Sequence, residues 1–560
     1  MKVQNIMRRL TRCWGATIAG MTLIATGANA IDLELIGRYG QSDDGVFDES
    51  AAEIPTYDPA TGRVFVTNAA TASVDVIDIS TPAEPELLFS IPLADEEAGI
   101  SGPTSVVFTG GVLAVSLAAE PKTDNGFVAF FDADGDPVGS PVEVGALPDA
   151  ITVSPDGNLL VTSNEGEPND ENTVDPAGSV SIIDISSGVE AASVATATFA
   201  AFDGMEDELR AAGVRIFGQL FSDTGEVDEE GEAIYEEAGA TTASQDLEPE
   251  YATIDSSSST AYVTLQENNA VAIVDLASAT VTGIVPLGLK DHFLPGNGLD
   301  PSNRDGIAGK IRSHKVLGMF QPDAIASYEI AGQTYLVTAN EGDSRDYDNF
   351  SEEIRADDLT DEGFNFSGGK GLIRNDKKLG RLKTTIAPPQ TAISGFDKNG
   401  KPVLDKVVAY GARSFSIWSA GGDLLFDSGD DFEQITAALV PDIFNASNDD
   451  PEADDRSDDK GPEPEGVIVA DVDGVPHAFI TLERVGGIMI YDVSDPVDAR
   501  FVSYTNTRLG ATDEAASTVA DDLGPESLVY ISPEDSPSGE ALLVVTNEVS
   551  GSTLVFRVNP

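Results

Sequence analysis

The chain has 560 residues, which is enough for several ordinary domains or for one large repeat domain. Asp and Glu number 96 against 32 Lys and Arg, so the formal net charge is −64. Such a strongly acidic surface repels nucleic acids and anionic membranes and attracts cations. We therefore expect no nucleic-acid partner, and we expect divalent cations among the partners.

Residues 1–30 have the pattern of a secretion signal. Four basic residues lie between Lys2 and Arg12, an apolar stretch follows at 14–27, and Ala28-Asn29-Ala30 matches a small-residue cleavage site. No later stretch approaches the ~20 consecutive apolar residues of a transmembrane helix. The sequence therefore predicts an exported protein, periplasmic or extracellular, without a transmembrane segment.

One unit recurs through the rest of the chain and is clearest at residues 461–492. A Pro-acid pair opens an apolar run, a turn and a second apolar run follow, and a third run ends on Tyr-Asp or Ile-Asp. Copies start near residues 54, 102, 148, 249, 322, 464 and 525. A complete copy holds four short strands in roughly 45 residues, which is typical of a propeller blade.

These repeats predict an all-β fold, a seven-bladed β-propeller of four-stranded blades that forms a single domain over residues 31–560. The seventh copy has only three strands. The strand at 32–39 can supply the fourth, which would close the ring and leave no open sheet edge.

Long insertions interrupt the repeat near residues 200–247, 288–320, 342–412 and 430–462. In a ring of four-stranded meanders they would all lie on one face, and elaborated loops are where function is expected. A short helix is predicted over 203–213. The basic stretch at 370–383 is expected to dock on an acidic surface, its own or a neighbour's.

Two sets of acids recur on the same predicted face. The first set begins innermost strands: Asp149, Glu250, Asp323, Glu465 and Glu526. The second set follows second strands: Glu165, Glu267, Glu341, Glu483 and Glu548. So many carboxylates would repel one another unless protonated, hydrogen-bonded or neutralised by cations, and Ca²⁺ or another divalent cation suits such oxygen ligands. Alternatively, each acid caps a blade by accepting backbone N–H bonds.

Three insertions also resemble dedicated cation loops. Their acidic candidates are Asp300 and Asp305, then Asp343 beside Glu341, then Asp454, Asp455, Asp458 and Asp459. A solvated acidic loop is the alternative for each of them.

Signals for catalysis are few. The three histidines, His292, His314 and His477, are too scattered for an obvious histidine metal centre, and His477 is expected to be structural. Lys290, His292, Arg345 and Arg413 are the candidates for binding an anion such as phosphate. The alternative for the two arginines is simple pairing with nearby acids.

Several longer words resemble those of the choice-of-anchor I family. They include QPDAI at 321–325, TANEGD at 338–343, LERVGG at 482–487 and TNEVSG at 546–551. The resemblance spans about residues 50–560. It extends to mesenchyme-specific cell-surface glycoproteins linked to calcium carbonate biomineralisation, and some bacterial members of the family are labelled alkaline phosphatase.

Three functional hypotheses follow. The favoured one is an exported calcium-binding propeller that engages a surface polymer, a mineral or a phosphorylated ligand. The first alternative is a metal-dependent phosphoesterase, in which cations held by the carboxylates polarise a phosphoryl oxygen and activate water. The second alternative is a structural scaffold whose acids only confer solubility. Whether the protein is an enzyme is left open by the sequence.

Overall fold

The computed structural model describes residues 21–24, 31–40, 47–94, 99–227, 233–387, 393–448, 451–508 and 522–560. Strands dominate these residues and helices are few and short, so the predicted all-β class is confirmed. Most of the predicted signal segment lies outside the described residues. Within it, Met21–Ile24 forms a strand that pairs with residues 503–506, and cleavage after residue 30 stays a prediction.

The described residues contain seven antiparallel sheets built on four strands each, numbered here as sheets 1 to 7 in chain order, and the strand Met21–Ile24 adds a fifth strand to sheet 6. Sheets 1 and 2 contain Pro55–Asp58, Arg63–Asn68, Ser73–Asp78 and Glu86–Pro92, then Ile100–Thr109, Val112–Ala119, Asn125–Phe131 and Val142–Ala146. Sheets 3 and 4 contain Pro148–Val153, Leu159–Asn164, Ser179–Asp184 and Ser193–Thr198, then Ala252–Ile254, Thr260–Leu265, Ala270–Asp275 and Thr280–Pro286. Sheets 5 and 6 contain Ile325–Ile330, Gln333–Asn340, Ser414–Ser419 and Leu424–Asp427, then Pro464–Val472, Val475–Leu482, Ile488–Asp492 and Arg500–Asn506. Sheet 7 contains Pro525–Ile531, Leu542–Asn547 and Ser552–Asn559, with Asp32–Gly40 as its fourth strand.

The two ends of the chain meet in sheet 7. Asp32–Gly40 pairs antiparallel with Ser552–Asn559, so that Leu33 lies opposite Val558 and Tyr39 lies opposite Thr553. This is the pairing that the orphan strand at 32–39 was predicted to make.

Apolar side chains pack between consecutive sheets. Phe130 and Ile151 belong to the cluster between sheets 2 and 3, and comparable clusters lie between each later pair. One cluster joins sheet 7 to sheet 1 through Val544 and Val66, and another joins sheet 1 to sheet 2. The first strand of each sheet also contacts the first strand of the next, and that of sheet 7 contacts that of sheet 1.

The insertions carry structure of their own. Residues from 288–320 and 342–412 combine in one five-stranded sheet: Leu289–Asp291, Val316–Met319, Val407–Ala409, Lys383–Thr385 and Glu353–Arg355. The smaller sheets are Leu220–Val227 with Ala233–Gly239, Asp346–Tyr347 with Phe350–Ser351, and Asn365–Phe366 with Pro402–Leu404 and Ile393–Phe396. A separate apolar core that includes Val316, Phe366 and Val407 joins the five-stranded sheet to the sheet that contains Asn365–Phe366.

Helices occur mainly in the insertions. The α-helices are Glu206–Ala212, Ala243–Asp246, Lys370–Ile373 and Asp431–Leu439, and the 3₁₀ turns are Ala69–Thr71, Val189–Ala191, Ala200–Phe202, Asp358–Thr360 and Asp455–Asp458. The helix predicted over 203–213 is confirmed, and it ends at Gly213, whose φ of 109° lies in the left-handed region that glycine favours. Among the described residues, no helix has the length and apolar character needed to cross a membrane.

Candidate cation-binding site

A cavity of about 560 Å³ lies where the sheets' first and second strands meet the insertions. We call it the acidic cavity. All ten repeat carboxylates line it: Asp149, Glu165, Glu250, Glu267, Asp323, Glu341, Glu465, Glu483, Glu526 and Glu548. Glu167, Asp343 and Asp346 add further acids, whereas Lys460 and Arg484 are the basic side chains among the lining residues. The repeat therefore brings its two acidic positions from five sheets into one space.

A buried asparagine fixes the second-strand acids in three sheets. Asn340 ends the second strand of sheet 5, and its side-chain amide donates to Ser416 on the third strand (2.8 Å). Asn164 does the same to Ser181 in sheet 3 (2.9 Å), and Asn547 donates within sheet 7. Because the strand is tied at its last residue, the glutamate that follows, such as Glu341, is held at the cavity wall.

Backbone irregularity positions several first-strand acids. In sheets 3, 6 and 7 the strand register shifts at Asp149, Glu465 and Glu526, each of which follows the proline that opens its strand. A β-bulge of this kind bends the strand and redirects a side chain. Glu250 and Asp323 instead lie just before the first strands of sheets 4 and 5.

Basic side chains neutralise one side of the cavity. Lys460 Nζ lies 2.6 Å from Glu341 Oε1 and 3.4 Å from Glu463 Oε2. Arg484 Nε lies 3.2 Å from Glu463 Oε2 and 3.1 Å from Glu483 Oε2. Burial would raise the pKa of Glu463, but the neighbouring basic side chains outweigh it and hold that pKa well below its usual range. Carboxylate oxygens of Glu341, Glu463 and Glu483 lie within 4.8 Å of one another, a spacing that could hold a metal ion.

Most of the repeat acids lack an ion-pair partner among the described residues. Among the described residues, no ion pair is formed by Asp149, Glu165, Glu250, Glu267, Asp323, Glu465 or Glu526. The Oε2 atoms of Glu250, Glu267 and Glu465 are buried and have no hydrogen-bond partner in the described part of the chain. The blade-capping alternative does not account for these three oxygens, because it requires each acid to accept N–H bonds.

Burial is the largest cause of the raised pKa values of these acids. It raises the pKa of Glu267 to about 7 and of Asp149 to about 6, and it raises the pKa of Glu250 and Glu465 well above the ordinary range. Repulsion between neighbouring carboxylates adds to the rise in each case. A cation bound among them would relieve both the burial cost and the repulsion.

The donor set fits a hard cation. The unpartnered atoms are carboxylate oxygens, and neither histidine nor cysteine is among the described residues that line the cavity. Ca²⁺ takes six to eight oxygen ligands at about 2.3–2.6 Å in adaptable geometry, whereas zinc prefers nitrogen and sulfur ligands. The buried oxygens of Glu250, Glu267 and Glu465 are acceptors that a cation in the cavity would satisfy, and the role of all these acids as cation ligands stays a prediction.

Six predicted insertion acids lie away from the acidic cavity. Asp458 pairs with Arg355 (2.9 Å) and Arg381 (3.2 Å), Asp459 pairs with Arg456 and Lys383, and Asp305 pairs with Lys310. Asp455 is exposed, and Asp300 and Asp454 are buried. The pairs to Arg381 and Lys383 dock the basic stretch at 370–383 on the chain's own acidic insertion. They account for Asp458 and Asp459 without a cation.

Lys290 and His292 are internal and do not line the cavity. Lys290 Nζ donates to the Ala412 and Gly429 carbonyls (2.9 and 2.6 Å) and pairs with Asp427 (2.9 Å). His292 is 2% exposed, and its Nδ1 lies 2.8 Å from the Asn297 carbonyl oxygen. Burial lowers the pKa of His292 well below its usual range. These contacts give both residues a structural role in place of the predicted anion-binding one.

Arg345 and Arg413 pair with acids, as expected under the alternative to anion binding given above for these two arginines. Arg345 lies 2.7 Å from Glu248 and 3.1 Å from Asp246, and its guanidinium stacks on Phe217. Arg413 lies 2.6 Å from Glu433 and donates to the carbonyls of Asp300, Ser457 and Asp459. Internal pairing explains their burial without a bound anion. His477 is buried in a strand with Nδ1 2.9 Å from the Val475 carbonyl oxygen, in agreement with a structural role.

Sequence reasoning included Glu463 in the acidic segment 445–465 but missed three other residues of the site: Glu167, Lys460 and Arg484. Two of them carried a usable signal. Lys460 is a lone lysine within an acidic segment, and Arg484 directly follows a repeat glutamate. A search for the charges that balance the repeat acids would have found both.

Taken together, the repeated sheets and the carboxylate cavity that they share define a repeat-built β protein. A family model described as "Choice-of-anchor I domain" matches residues 53–496, and the chain belongs to this family. This confirms the resemblance drawn from the sequence words.

Two curated relatives match part of the chain. Gigasin-3a of Magallana gigas is 33% identical over 197 residues, which cover 33% of this chain and 66% of that protein. The mesenchyme-specific cell surface glycoprotein of Strongylocentrotus purpuratus is 30% identical over 290 residues, covering 46% of this chain and 36% of that protein. The chain thus spans less than two thirds of the length of either relative.

Solved structures with similar folds include propeller proteins at low identity. Kuenenia stuttgartiensis hydrazine synthase aligns with a TM-score of 0.41 and 15% identity, covering 93% of this chain and 99% of that one. The Cps50 (Swd1) β-propeller domain of Myceliophteria thermophila has a TM-score of 0.42 and 8% identity, covering 94% and 100%. The Neurospora crassa Pan2 WD40 domain has a TM-score of 0.40 and 9% identity, covering 94% and 95%.

Proposed function

We propose that this protein is an exported seven-bladed β-propeller that binds Ca²⁺ in the acidic cavity and presents that face to an extracellular or periplasmic ligand. The observation that carries the proposal is the set of buried carboxylate oxygens of Glu250, Glu267 and Glu465 that have no partner in the described chain. They lie in a cavity that acids from five sheets line together.

The closed ring is supported by packing rather than by fold comparison. Sheet 7 packs on sheet 1 through Val544 and Val66, as every other sheet packs on its successor. The first strand of each sheet contacts the first strand of the next sheet, and that of sheet 7 contacts that of sheet 1. The N-terminal strand completes sheet 7. A ring of seven blades accounts for all three observations and leaves only short, protected sheet edges.

The choice of Ca²⁺ follows from charge and ligand type. Lys460 pairs with Glu341 and Arg484 pairs with Glu483, so excess negative charge remains on the lining acids that form no ion pair with a described residue, among them Glu250 and Glu465. An unpaired buried carboxylate is costly, and it must either take a proton or find a cation. Calcium is the cation that pairs with oxygen-only sites in exported proteins.

The proposed location and partners rest on membership of the family. Membership of the choice-of-anchor I family is consistent with a surface or exported protein, as is the name of the sea urchin relative, a cell surface glycoprotein. We infer that calcium bound in the cavity bridges to a ligand with oxygen donors of its own, such as a surface polymer, a mineral or a phosphorylated molecule. A metal-dependent phosphoesterase would use the same cavity, with a cation polarising a phosphoryl oxygen.

One experiment separates these functions. The chain from residue 31 is purified, its thermal unfolding is measured with Ca²⁺ and with chelator, and p-nitrophenyl phosphate hydrolysis is followed in the same samples. A ligand that binds only the folded state stabilises it by about 2.7 kcal/mol at a hundred times its Kd. We expect a calcium-dependent rise in Tm without turnover.

Other outcomes would change the conclusion. Metal-dependent turnover that disappears in Asp323→Asn or Glu465→Gln would replace the binding protein with the phosphoesterase. Equal Tm values in Ca²⁺ and in chelator, without turnover, would leave the structural scaffold as the remaining hypothesis.

A further inference from the structure

Two insertions meet outside the acidic cavity, against the helix Asp431–Leu439. The Glu433 carboxylate of that helix accepts the Asp300 backbone N–H on one oxygen (3.0 Å) and the Asn445 side-chain amide on the other (3.1 Å). The same Asn445 amide donates to Ser457 Oγ (3.0 Å), and Ser457 hydrogen-bonds the Asp454 carboxylate. Asp300, Asn445 and Asp454 are therefore neighbours, although they are far apart in the chain.

Four oxygens in this neighbourhood are buried and have no hydrogen-bond partner in the described chain. They are Asp300 Oδ1, Asn303 Oδ1, Asn445 Oδ1 and Asp454 Oδ1. Asn303 is held beside Asp454 because its amide donates to the Asp455 carbonyl (3.2 Å). Asp300 and Asn445 are 0% exposed and Asp454 is 6% exposed. Leaving each buried acceptor unsatisfied costs about 1–3 kcal/mol.

Charge balance gives a second, independent observation. Arg413 pairs with Glu433, and Lys310 pairs with Asp305, so these two basic side chains already have partners. Neither Asp300 nor Asp454 forms an ion pair with any described residue, and Asp454 is the strongest charge acting on Asp300. The cluster therefore holds two carboxylates whose charges are not balanced by described protein groups.

We propose that Asp300, Asn303, Asn445 and Asp454 form a second cation site, which binds one Ca²⁺ and fastens the two insertions together. Two carboxylates and two amide oxygens match both the charge and the donor preference of a hard divalent cation. Backbone geometry is consistent with a shaped loop, since Asn445 and Asp454 have φ values of 45° and 81°. The site shares no residue with the acidic cavity and stands independently of the function proposed above.

The test counts calcium per chain. Protein from residue 31 is stripped with chelator, reloaded with Ca²⁺, freed of excess ion, and analysed by inductively coupled plasma mass spectrometry. Three variants are compared: Asp300→Asn with Asp454→Asn, the cavity variant Glu250→Gln with Glu465→Gln, and the exposed control Asp455→Asn. We expect the first to lose one Ca²⁺ per chain while the second and third retain that ion. Unchanged calcium content in the first variant would overturn the proposal.

A second measurement does not depend on folding of the Asp300 variant. Hydrogen exchange is followed in the cavity variant with and without Ca²⁺. The proposal predicts slower amide exchange at residues 299–310 and 444–458 on calcium addition, because the ion joins those segments. If amide exchange in both segments were the same with and without Ca²⁺, the proposal would be wrong, and the buried oxygens would bind water or protons instead.

Discussion

The acids of the cavity differ in what surrounds them, although they occupy equivalent positions in the repeat. Glu341 has Lys460 and Gln266 as partners, at 2.6 and 2.8 Å. Glu465 has a buried oxygen without any partner among the described residues. This difference favours an ion at the acids without an ion-pair partner in the described chain and leads to two predictions about individual side chains.

Replacing Glu250 and Glu465 by glutamine should uncouple stability from calcium. In chelator the double variant is expected to be more stable than the wild type, because no charge is then buried at these positions. Each tenfold difference in a carboxyl group's acid dissociation constant between the folded and unfolded chain corresponds to about 1.4 kcal/mol. The rise in Tm on adding Ca²⁺, measured by thermal unfolding, should shrink.

The control for this variant is Glu190→Gln, at an exposed position, which should behave as wild type. If adding Ca²⁺ raised the Tm of the double variant as much as that of the wild type, Glu250 and Glu465 would not be ligands of the ion.

The cavity acids also predict a pH dependence in chelator. Burial raises the pKa of Glu267, Glu341 and Glu483 to about 7, so the folded state binds protons that the unfolded state has already lost. Each group's stabilisation is complete below its unfolded pKa of ~4.3 and is lost as pH rises through the folded value. Tm in chelator should therefore fall from pH 6.5 to pH 8.

Between pH 6.5 and 8, His314 does not contribute to the change in stability. Burial lowers the pKa of His314 to about 4, which costs stability only as pH falls below ~6.5. Thermal unfolding monitored by circular dichroism would measure the trend. A Tm that is constant or rises between pH 6.5 and 8 in chelator would show that the carboxylates are not protonated in the folded protein.

At the scale of elements, the insertions are fastened to the sheets by buried ion pairs. Arg413, just before the third strand of sheet 5, joins Glu433 of the helix Asp431–Leu439 to carbonyls of the 455–458 turn. Arg413→Ala should lower the free energy of unfolding by about 3–5 kcal/mol, since Glu433 would be left buried and unpaired. Denaturant unfolding would measure it.

The control for that prediction is a surface pair. Arg500 lies 3.1 Å from Asp498 and both are exposed, so Arg500→Ala should change stability by no more than ~1 kcal/mol. If Arg413→Ala were as stable as Arg500→Ala, the anion-binding interpretation of Arg413 would regain support.

Sequence reasoning succeeded for elements that repeat and failed for those that do not. The strands of the seven sheets and the helix ending at Gly213 follow from local patterns of apolar residues and turns. The five-stranded sheet in the insertions was missed because its strands are three or four residues long. Its central pairing, Val316 with Val407, is parallel and joins residues far apart in the chain. Nothing local in either segment encodes that partner.

The candidate site shows the same division. The ten acids could be brought together from the sequence because the repeat gives them equivalent positions. Lys460 could be expected near the repeat acids from its charge, but its pairing with Glu341 could not be predicted. Asn303 could not be placed either, since it comes from an insertion whose path the repeat does not determine. The pairing of Asp458 with Arg355 and Arg381 was likewise invisible to local reasoning.

At the scale of the whole molecule, the N-terminal strand is the element that joins the ends. Asp32–Gly40 covers Ser552–Asn559, and Ile31 and Leu33 enter the core between sheets 6 and 7. Starting the chain at residue 47 should therefore lower Tm strongly or prevent folding, because one sheet loses a strand and exposes an edge. Starting it at residue 31 should give a stable protein. Equal Tm values for the two forms would contradict ring closure by this strand.

The most direct measurement is anomalous X-ray diffraction from crystals of the chain grown with Ca²⁺. We predict a calcium peak in the acidic cavity within about 2.3–2.6 Å of carboxylate oxygens that include one or more of Glu250, Glu267 and Glu465. A cavity without a calcium peak under calcium-saturated conditions, with those carboxylates hydrogen-bonded to water or to one another, would contradict the proposed site.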